Sequence, residues 1–453
     1  MIKRKLRIFP VIMAVFLSFL FMLMNASCTG GRMIQFSKQA PEELNGQSLY
    51  KDVATYAKFK VHQTGTDGDH LTSRWIEKTL KDNGLKTQLK PWRLKQFFLT
   101  ECTFSIGKEK IDAFPAWYPK NTGRVPLAGK LAMYNEADVS NLNGRIALAG
   151  GDFAVSANAG VNAEAEIAKK AGAIGLIVVS RGSNSGLLAA ANARRKDKEG
   201  YKGPEYFQAP LPIPTVIIAE KDYIRLSPIF EQNPKAEITI RGKHNTNTQA
   251  FNVLGVLQRG EKWIVVTTPS SGWFSCGGER GAGVALFLGL ARWAAKNDTQ
   301  HSFIFIANSG HELDNMGAHF TLDEYLPDYG IHSKNVTAWL HLGASIANRQ
   351  WEKTDEGYVP LDKPASIFFQ GTQELLPYMK RAFKGIDGYR IGSGFYAGEL
   401  EVIIDKAFNA FGFFGANYFF HQREDTERST SPELLEPVAV ALVDILKALD
   451  KSE

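Results

Sequence analysis

The stretch from His301 to Phe320, HSFIFIANSGHELDNMGAHF, decides how the rest of the chain is read. Phe303 to Ile306 is a continuous apolar run that breaks at Asn308-Ser309-Gly310. An apolar run closed by a glycine turn predicts a strand buried on both faces, as in parallel sheets. His311 and Glu312 follow the turn directly and precede a helical segment. In open α/β sheets, ligands and metals collect just beyond the carboxyl ends of such strands. This pair is therefore the first candidate for chemistry.

Working outward, further apolar runs predict more strands. Upstream these are Phe251 to Leu257 and Trp263 to Thr267; downstream they are Val336 to Leu342 and the aromatic-rich Phe411 to Phe420, which ends at His421. Gly281 to Asn297 predicts a long apolar helix. Ser431 to Leu449 predicts a closing one, with Leu434, Leu435, Val438, Ala441, Leu442, Ile445 and Leu449 at helical spacing. Before this region, Leu49 to Phe59 predicts a helix. The loop Gly65-Thr66-Asp67-Gly68 leads into another, capped near Asp69 and stopped by Gly84. Leu85 to Trp92 and Phe97 to Ile106 read as strands, and His62 and His70 as solvated loop histidines.

From about Pro126 the texture changes. Short strands at Lys130 to Tyr134 and Arg145 to Leu148 precede a helix at Glu164 to Gly172 and a buried strand at Ala173 to Ser180. Pro210 to Leu226 returns to strand and helix, and Ala236 to Arg241 alternates as a final strand. Ser180 to Glu205 is a long polar excursion, expected to be a surface loop. Strands alternating with helices imply an α/β sheet covered on both faces.

Composition limits the function classes. With 44% hydrophobic and 22% charged residues, the 453-residue chain is ordinary globular material, long enough for two or three domains. Lys3, Arg4, Lys5 and Arg7 supply four of the positive charges, and the remainder is near neutral. No basic cluster with interleaved aromatics is present, so no nucleic-acid partner is expected. The same four residues precede the apolar Ile8 to Met24, followed by Asn25-Ala26-Ser27-Cys28. This is an export signal, and Ala26-Ser27-Cys28 resembles a bacterial lipobox in which Cys28 takes the lipid. Residues 1–28 are read as signal, lipoprotein signal or membrane anchor, and 29–45 as a tether. All three versions place the body outside the cytoplasm; the expected location is membrane-attached, in a bacterial periplasm or on the outer membrane or cell surface. Cys102 and Cys276 are either one bridge or two free thiols.

The order of segments resembles the zinc aminopeptidase and carboxypeptidase family that includes bacterial leucyl aminopeptidases, glutamate carboxypeptidase, the transferrin receptor and nicastrin. EAEIAKKAGAIGLIVVS (164–180) and IPTVIIAEKDYIRL (213–226) look like the protease-associated domain often inserted into that fold. FNVLGVLQRG (251–260) resembles the entrance to the catalytic sheet. The resemblance implies a mixed-sheet, zinc-exopeptidase-like (phosphorylase/hydrolase-like) α/β domain over 46–125 and 244–453. A β-rich protease-associated domain is inserted at 126–243.

Such enzymes hold two zinc ions with five side chains and use a glutamate as general base. Carried over residue by residue, the first histidine ligand falls on Thr268 and the bridging aspartate on Glu279. The Glu-Glu pair falls on His311-Glu312, the strand-end aspartate on Gly343, and the last histidine on His421. Thr268 and Gly343 remove one zinc site, because neither supplies an imidazole, thiolate or carboxylate. A dizinc site is not expected. Glu279, Glu312 and His421 form a set chemically adequate for one zinc, as in the single-zinc glutaminyl cyclases of the wider fold group. His311 stands where the general base belongs; imidazole works as a base near neutrality but differs in shape from glutamate.

Each residue also has a plainer reading. Glu279 would be solvated in a glycine-rich loop, Glu312 would cap the following helix, His421 would pair with Asp425, and His341 would be a hydrogen-bonded core histidine. The main expectation is a degenerate metallopeptidase homologue that binds a peptide or protein ligand without catalysis. The alternative is a single-zinc aminopeptidase or cyclase acting on peptide N-termini.

Overall fold

The computed structural model describes residues 40–157, 160–182, 184, 186–193, 209–391 and 396–451. Cys28, the signal segment and most of the proposed tether lie outside them. The strands in chain order are β1 (Lys86–Ile106), β2 (Glu109–Ile111), β3 (Ala113–Pro115), β4 (Leu127–Met133), β5 (Ile146–Ala149), β6 (Val155–Ser156), β7 (Gly175–Arg181), β8 (Thr215–Ala219), β9 (Lys235–Leu257), β10 (Trp263–Pro269), β11 (Ser302–Asn308), β12 (Val336–Ala344), β13 (Arg349–Thr354), β14 (Gly357–Pro364), β15 (Ile367–Gly371), β16 (Tyr389–Ile391) and β17 (Ala410–Gly415). The helices that matter are α1 (Gly46–Lys58), α2 (Asp67–Asp82), α3 (Asn162–Lys170), α4 (Glu220–Phe230), α5 (Ala282–Lys296), α6 (Met316–Phe320), α7 (Leu376–Ala382), α8 (Glu399–Asp405) and α9 (Pro432–Asp450).

The apolar run becomes β11, buried along its whole length. It lies parallel to β10 and antiparallel to the last part of β9. On the far side of β10 come β12 and β17, both parallel to it, and then β15 and β16 at the edge. Because β10 leads to β11 on one side while β12 lies on the other, the chain reverses direction across the sheet beside β10. Crevices open at the carboxyl ends of strands at such a reversal.

Side chains alternate across the sheet. Phe303 and Phe305 join a core with α1, α5 and α9; Ile304 and Ile306 face the opposite core with Leu326, Leu400 and Ile403. Burial on both faces explains why β11 is a continuous apolar run rather than an alternating one. Helix α5 is buried nearly all round, since it packs on the sheet with α1 and α9 over its outer side.

The first half of β9 pairs with β4, from which β5, β7, β8 and β3 continue in order. Two pairs of short strands were expected where β1 and β9 each run unbroken. They lie antiparallel from Lys86 opposite Val256 to Ile106 opposite Ala236. Irregularities between Leu94 and Gln96 and between Leu99 and Glu101 absorb the break in the sequence pattern, as bulges do. The expected boundary at 243/244 lies inside β9. The hairpin β13–β14, the edge strands β15 and β16, and helix α8 were not expected.

The polar excursion also differs from its reading. Residues 194–208 lie outside the described residues, but Leu188 to Ala193 are buried. His62 is buried too, stacked on Tyr56 at 3.8 Å and hydrogen-bonded to Thr72. It is not a solvated loop residue. Cys102 and Cys276 are both free thiols. Among the described residues, no helix is long and apolar enough to cross a membrane.

Candidate functional site

The loops at the carboxyl ends of β10, β11, β12 and β17 converge, and most residues singled out in the sequence are on them. After β10 comes Cys276 at φ 45°, then a wide turn over Gly277–Gly281 that carries Glu279 and Arg280 into α5. The glycines there are steric necessities. A Cβ at Gly277 would lie 2.2 Å from Thr426 C, and one at Gly278 would lie 2.3 Å from Ser429 Cβ. The segment after His421 presses on this turn, and Asp425 fixes it by accepting from the Gly278 and Glu279 amides at 2.9 Å each. Asp425 thus positions Glu279 rather than pairing with His421. Burial pushes its carboxyl up to about 6.

Glu279 is fully buried, not solvated. Its Oε1 lies 2.6 Å from Arg280 Nη2 and 3.4 Å from His421 Nε2. Arg280 is itself only 1% exposed, and its Nε donates to the Ser271 carbonyl at 3.2 Å. Burial would raise the Glu279 carboxyl, but Arg280 and then His421 outweigh it and hold it at about 2. The glutamate is an anion between two cationic or protonatable neighbours. Sequence reasoning missed Arg280, which stands beside Glu279 in a glycine-rich turn with no local sign that it turns inward.

Glu312 follows β11, in a backbone that passes through Gly310 at φ 95°. It does not cap α6. Its Oε1 accepts from the amide and hydroxyl of Thr64 at 2.6 Å each, and its Oε2 from Ser271 Oγ at 2.8 Å. Ser271 Oγ in turn accepts from the Gly310 amide at 2.7 Å. Asp69 lies behind this group and accepts from Ser309 Oγ and the Gly65 amide. Burial pushes its carboxyl up to about 8, so it stays protonated at neutrality.

His311 reaches the other way. Its Nδ1 lies 3.4 Å from Glu399 Oε1, and Glu399 Oε2 accepts from Asn308 Nδ2 at 3.0 Å. Burial pushes the Glu399 carboxyl up to about 7. Glu399, at the start of α8, was not anticipated; it shares the first turn with Glu401, and the sequence alone does not set it apart. His341 is the core histidine expected, bonded through Nδ1 to Thr267 Oγ1 at 3.0 Å and held neutral mainly by burial.

The two replaced positions are occupied by packing. Thr268 Oγ1 donates to the Leu342 carbonyl at 3.0 Å. At Gly343 a Cβ would lie 2.4 Å from the Phe413 carbonyl oxygen of β17, so the strands meet where a ligand side chain would start. Among the described residues, no three His, Cys, Asp or Glu side chains are grouped so as to hold a metal ion. Glu279 and His421 meet each other, while Glu312 is held by Thr64 and Ser271. As arranged, these residues do not fit the zinc that the resemblance implies.

These protonation states predict a pH dependence of stability. Glu399 and Asp69 have folded values raised above their unfolded ones, so their contribution is full below the ordinary carboxylate range and is lost as pH rises to about 7 and about 8 respectively. His62 and His341 are lowered to about 3 by burial, so their contribution is lost as pH falls below the ordinary imidazole range. The melting temperature should therefore decline on both sides of slightly acid pH. Asp69→Asn should flatten the alkaline limb in a melting series, because its amide has no proton to lose.

The comparisons with known proteins agree on architecture. No family model matches the sequence, and no curated protein matches it. Among solved structures, a zinc aminopeptidase from Bacillus subtilis superposes with a TM-score of 0.70 at 17% identity, over 92% of this chain and 97% of that one. An aminopeptidase from Aneurinibacillus gives 0.64 at 17% identity, over 89% and 94%. A peptidase precursor from Shewanella amazonensis gives 0.68 at 13% identity, over 90% and 96%. At such identities the likeness speaks for the fold, and this chain is built on the mixed α/β fold of the zinc aminopeptidases.

Proposed function

We propose that this chain is a non-catalytic member of the aminopeptidase fold that binds a peptide or protein segment at the carboxyl edge of its sheet. The observation that carries this reading is the buried Arg280, whose guanidinium holds Glu279 beside His421. A fixed organic cation there supplies the positive charge that the surrounding acids require. It has no open coordination position, so it cannot activate water as a bound metal does. His311 in the base position, paired with Glu399, points the same way. The reading includes an exported body attached to a bacterial membrane through the N-terminal segment, with Cys28 as the lipid site, and a protease-associated insertion at 126–243.

A second reading keeps one zinc at Glu279, Glu312 and His421, with aminopeptidase or cyclase activity on peptide N-termini. One observation favours it. His421 Nδ1 faces the Ala190 carbonyl at 3.1 Å, as the second nitrogen of a metal-bound imidazole usually does. It requires Arg280 to leave its place.

The test is turnover of an aminoacyl-anilide panel and of an N-terminal glutaminyl peptide by the full chain. The expected result is no product above background, unchanged in a Glu312→Ala/His421→Ala double variant. Turnover that disappears in that variant would overturn the non-catalytic reading.

A further inference from the structure

Residues 187–193, Leu-Leu-Ala-Ala-Ala-Asn-Ala, pack against the site and bond to residues that form it, while the Asn192 amide donates to the Ala157 carbonyl at 3.1 Å. The Ala190 amide donates to the His421 carbonyl at 2.9 Å, and the Ala190 carbonyl faces His421 Nδ1 at 3.1 Å. The Ala193 amide donates to the Glu312 carbonyl at 3.0 Å. Asn192 Oδ1 accepts from Trp273 Nε1 at 2.9 Å, and Gln422 Nε2 donates to the Leu187 carbonyl at 3.3 Å. Ala189 and Ala190 are completely buried.

These contacts have the form of peptide recognition. Most involve the strap's main chain, and they come from residues of the site loops. The exception, Asn192, is bonded by an indole N–H. Main-chain pairing with an extended segment gives affinity, and small pockets give side-chain preference. Three consecutive alanines allow the strap backbone to approach closely, and a bulkier sequence would not seat there. The loop β17 contributes to this contact holds His421 at φ 58°, a conformation uncommon for a non-glycine residue.

We infer that residues 187–193 are a built-in occupant of the peptide site: an intrachain strap that must leave before an extended peptide with small apolar side chains can bind to His421, Glu312 and Trp273. This rests on the peptide-binding reading above. It makes the resting state self-occluded, and it names the ligand class as a segment that reproduces the strap's main-chain bonds.

The test combines amide hydrogen exchange on the full chain with binding of a fluorescein-labelled Leu-Leu-Ala-Ala-Ala-Asn-Ala peptide, read by anisotropy. In the wild type the Ala190 and Ala193 amides should be protected and the peptide should bind weakly. Ala190→Pro removes the donor to His421, and Asn192→Ala removes the Trp273 partner; the second serves if the first does not fold. A variant that frees the strap amides should bind the peptide about tenfold more tightly or better, and its all-D counterpart should not bind. Three results would overturn the proposal: wild-type strap amides that exchange as fast as a free peptide; freed amides with no gain in peptide binding; or strap amides that stay protected in both folded variants, which would mark the segment as permanent core. None of these is the anilide turnover that would overturn the non-catalytic reading, so the two failures are separable.

Discussion

Arg280→Met should destabilise the fold by about 3–5 kcal/mol, the usual cost of removing one partner from a buried ion pair. Methionine fills much of the same volume, so the loss is chiefly of charge. Glu279 would be left fully buried with the His421 imidazole as its remaining neighbour, at 3.4 Å. The carboxyl would then lose the strongest influence that lowers it, and its folded value would rise from about 2. By linkage, a depressed carboxyl stabilises the fold above its unfolded value and loses this as pH falls. The variant should therefore lose more stability at pH 7 than at pH 4 relative to the wild type. Urea denaturation at the two pH values measures this. Adding Glu279→Gln should recover most of the loss, because it removes the uncompensated charge. A loss below about 1 kcal/mol in the single variant would mean that Arg280 is not the counter-charge of the site.

Gly343→Asp, which restores the residue type that a second metal site would need, should be at least as damaging. Two effects add. The Cβ would lie 2.4 Å from the Phe413 carbonyl oxygen, so β12 and β17 must separate; overpacking of this kind costs about 1–3 kcal/mol. The carboxylate would then be buried without a partner, costing a further ~3 kcal/mol or more. Gly343→Ala isolates the steric part, and the difference between the two variants isolates the charge. Denaturation midpoints or soluble yield report both. If Gly343→Asp were as stable as the wild type and took up zinc, the position would be an empty ligand site rather than a close strand contact.

Much of the fold was legible because the chemistry of a parallel sheet is local. The run Phe303 to Ile306, the apolar helix after Gly281 and the spacing of Leu434 to Leu449 each announce burial on a particular face. The carboxyl-edge location of the site followed from the glycine turn at Gly310. What was not legible depends on partners distant in sequence. Nothing near Glu279 says that Arg280 turns inward to it, and nothing near Glu312 says that Thr64, 248 positions earlier, fills one of its oxygens. The strap at 187–193 reads as part of a polar surface loop because its neighbours in sequence are polar. Its burial comes from the two apolar cores it joins, and its polar contacts from Trp273, His421 and Gln422. Strands β1 and β9 were divided because pattern breaks look like turns. In space, the two strands carry the irregularities together without ending.

The zinc content of the full chain, purified without chelator and without added metal, tests the central claim most directly. On the proposed non-catalytic reading, zinc should be well below one per chain, with no increase after incubation in zinc and buffer exchange, because Arg280 would stand in for the cation beside Glu279. Near-stoichiometric zinc that vanishes in the Glu312→Ala/His421→Ala double variant would contradict it.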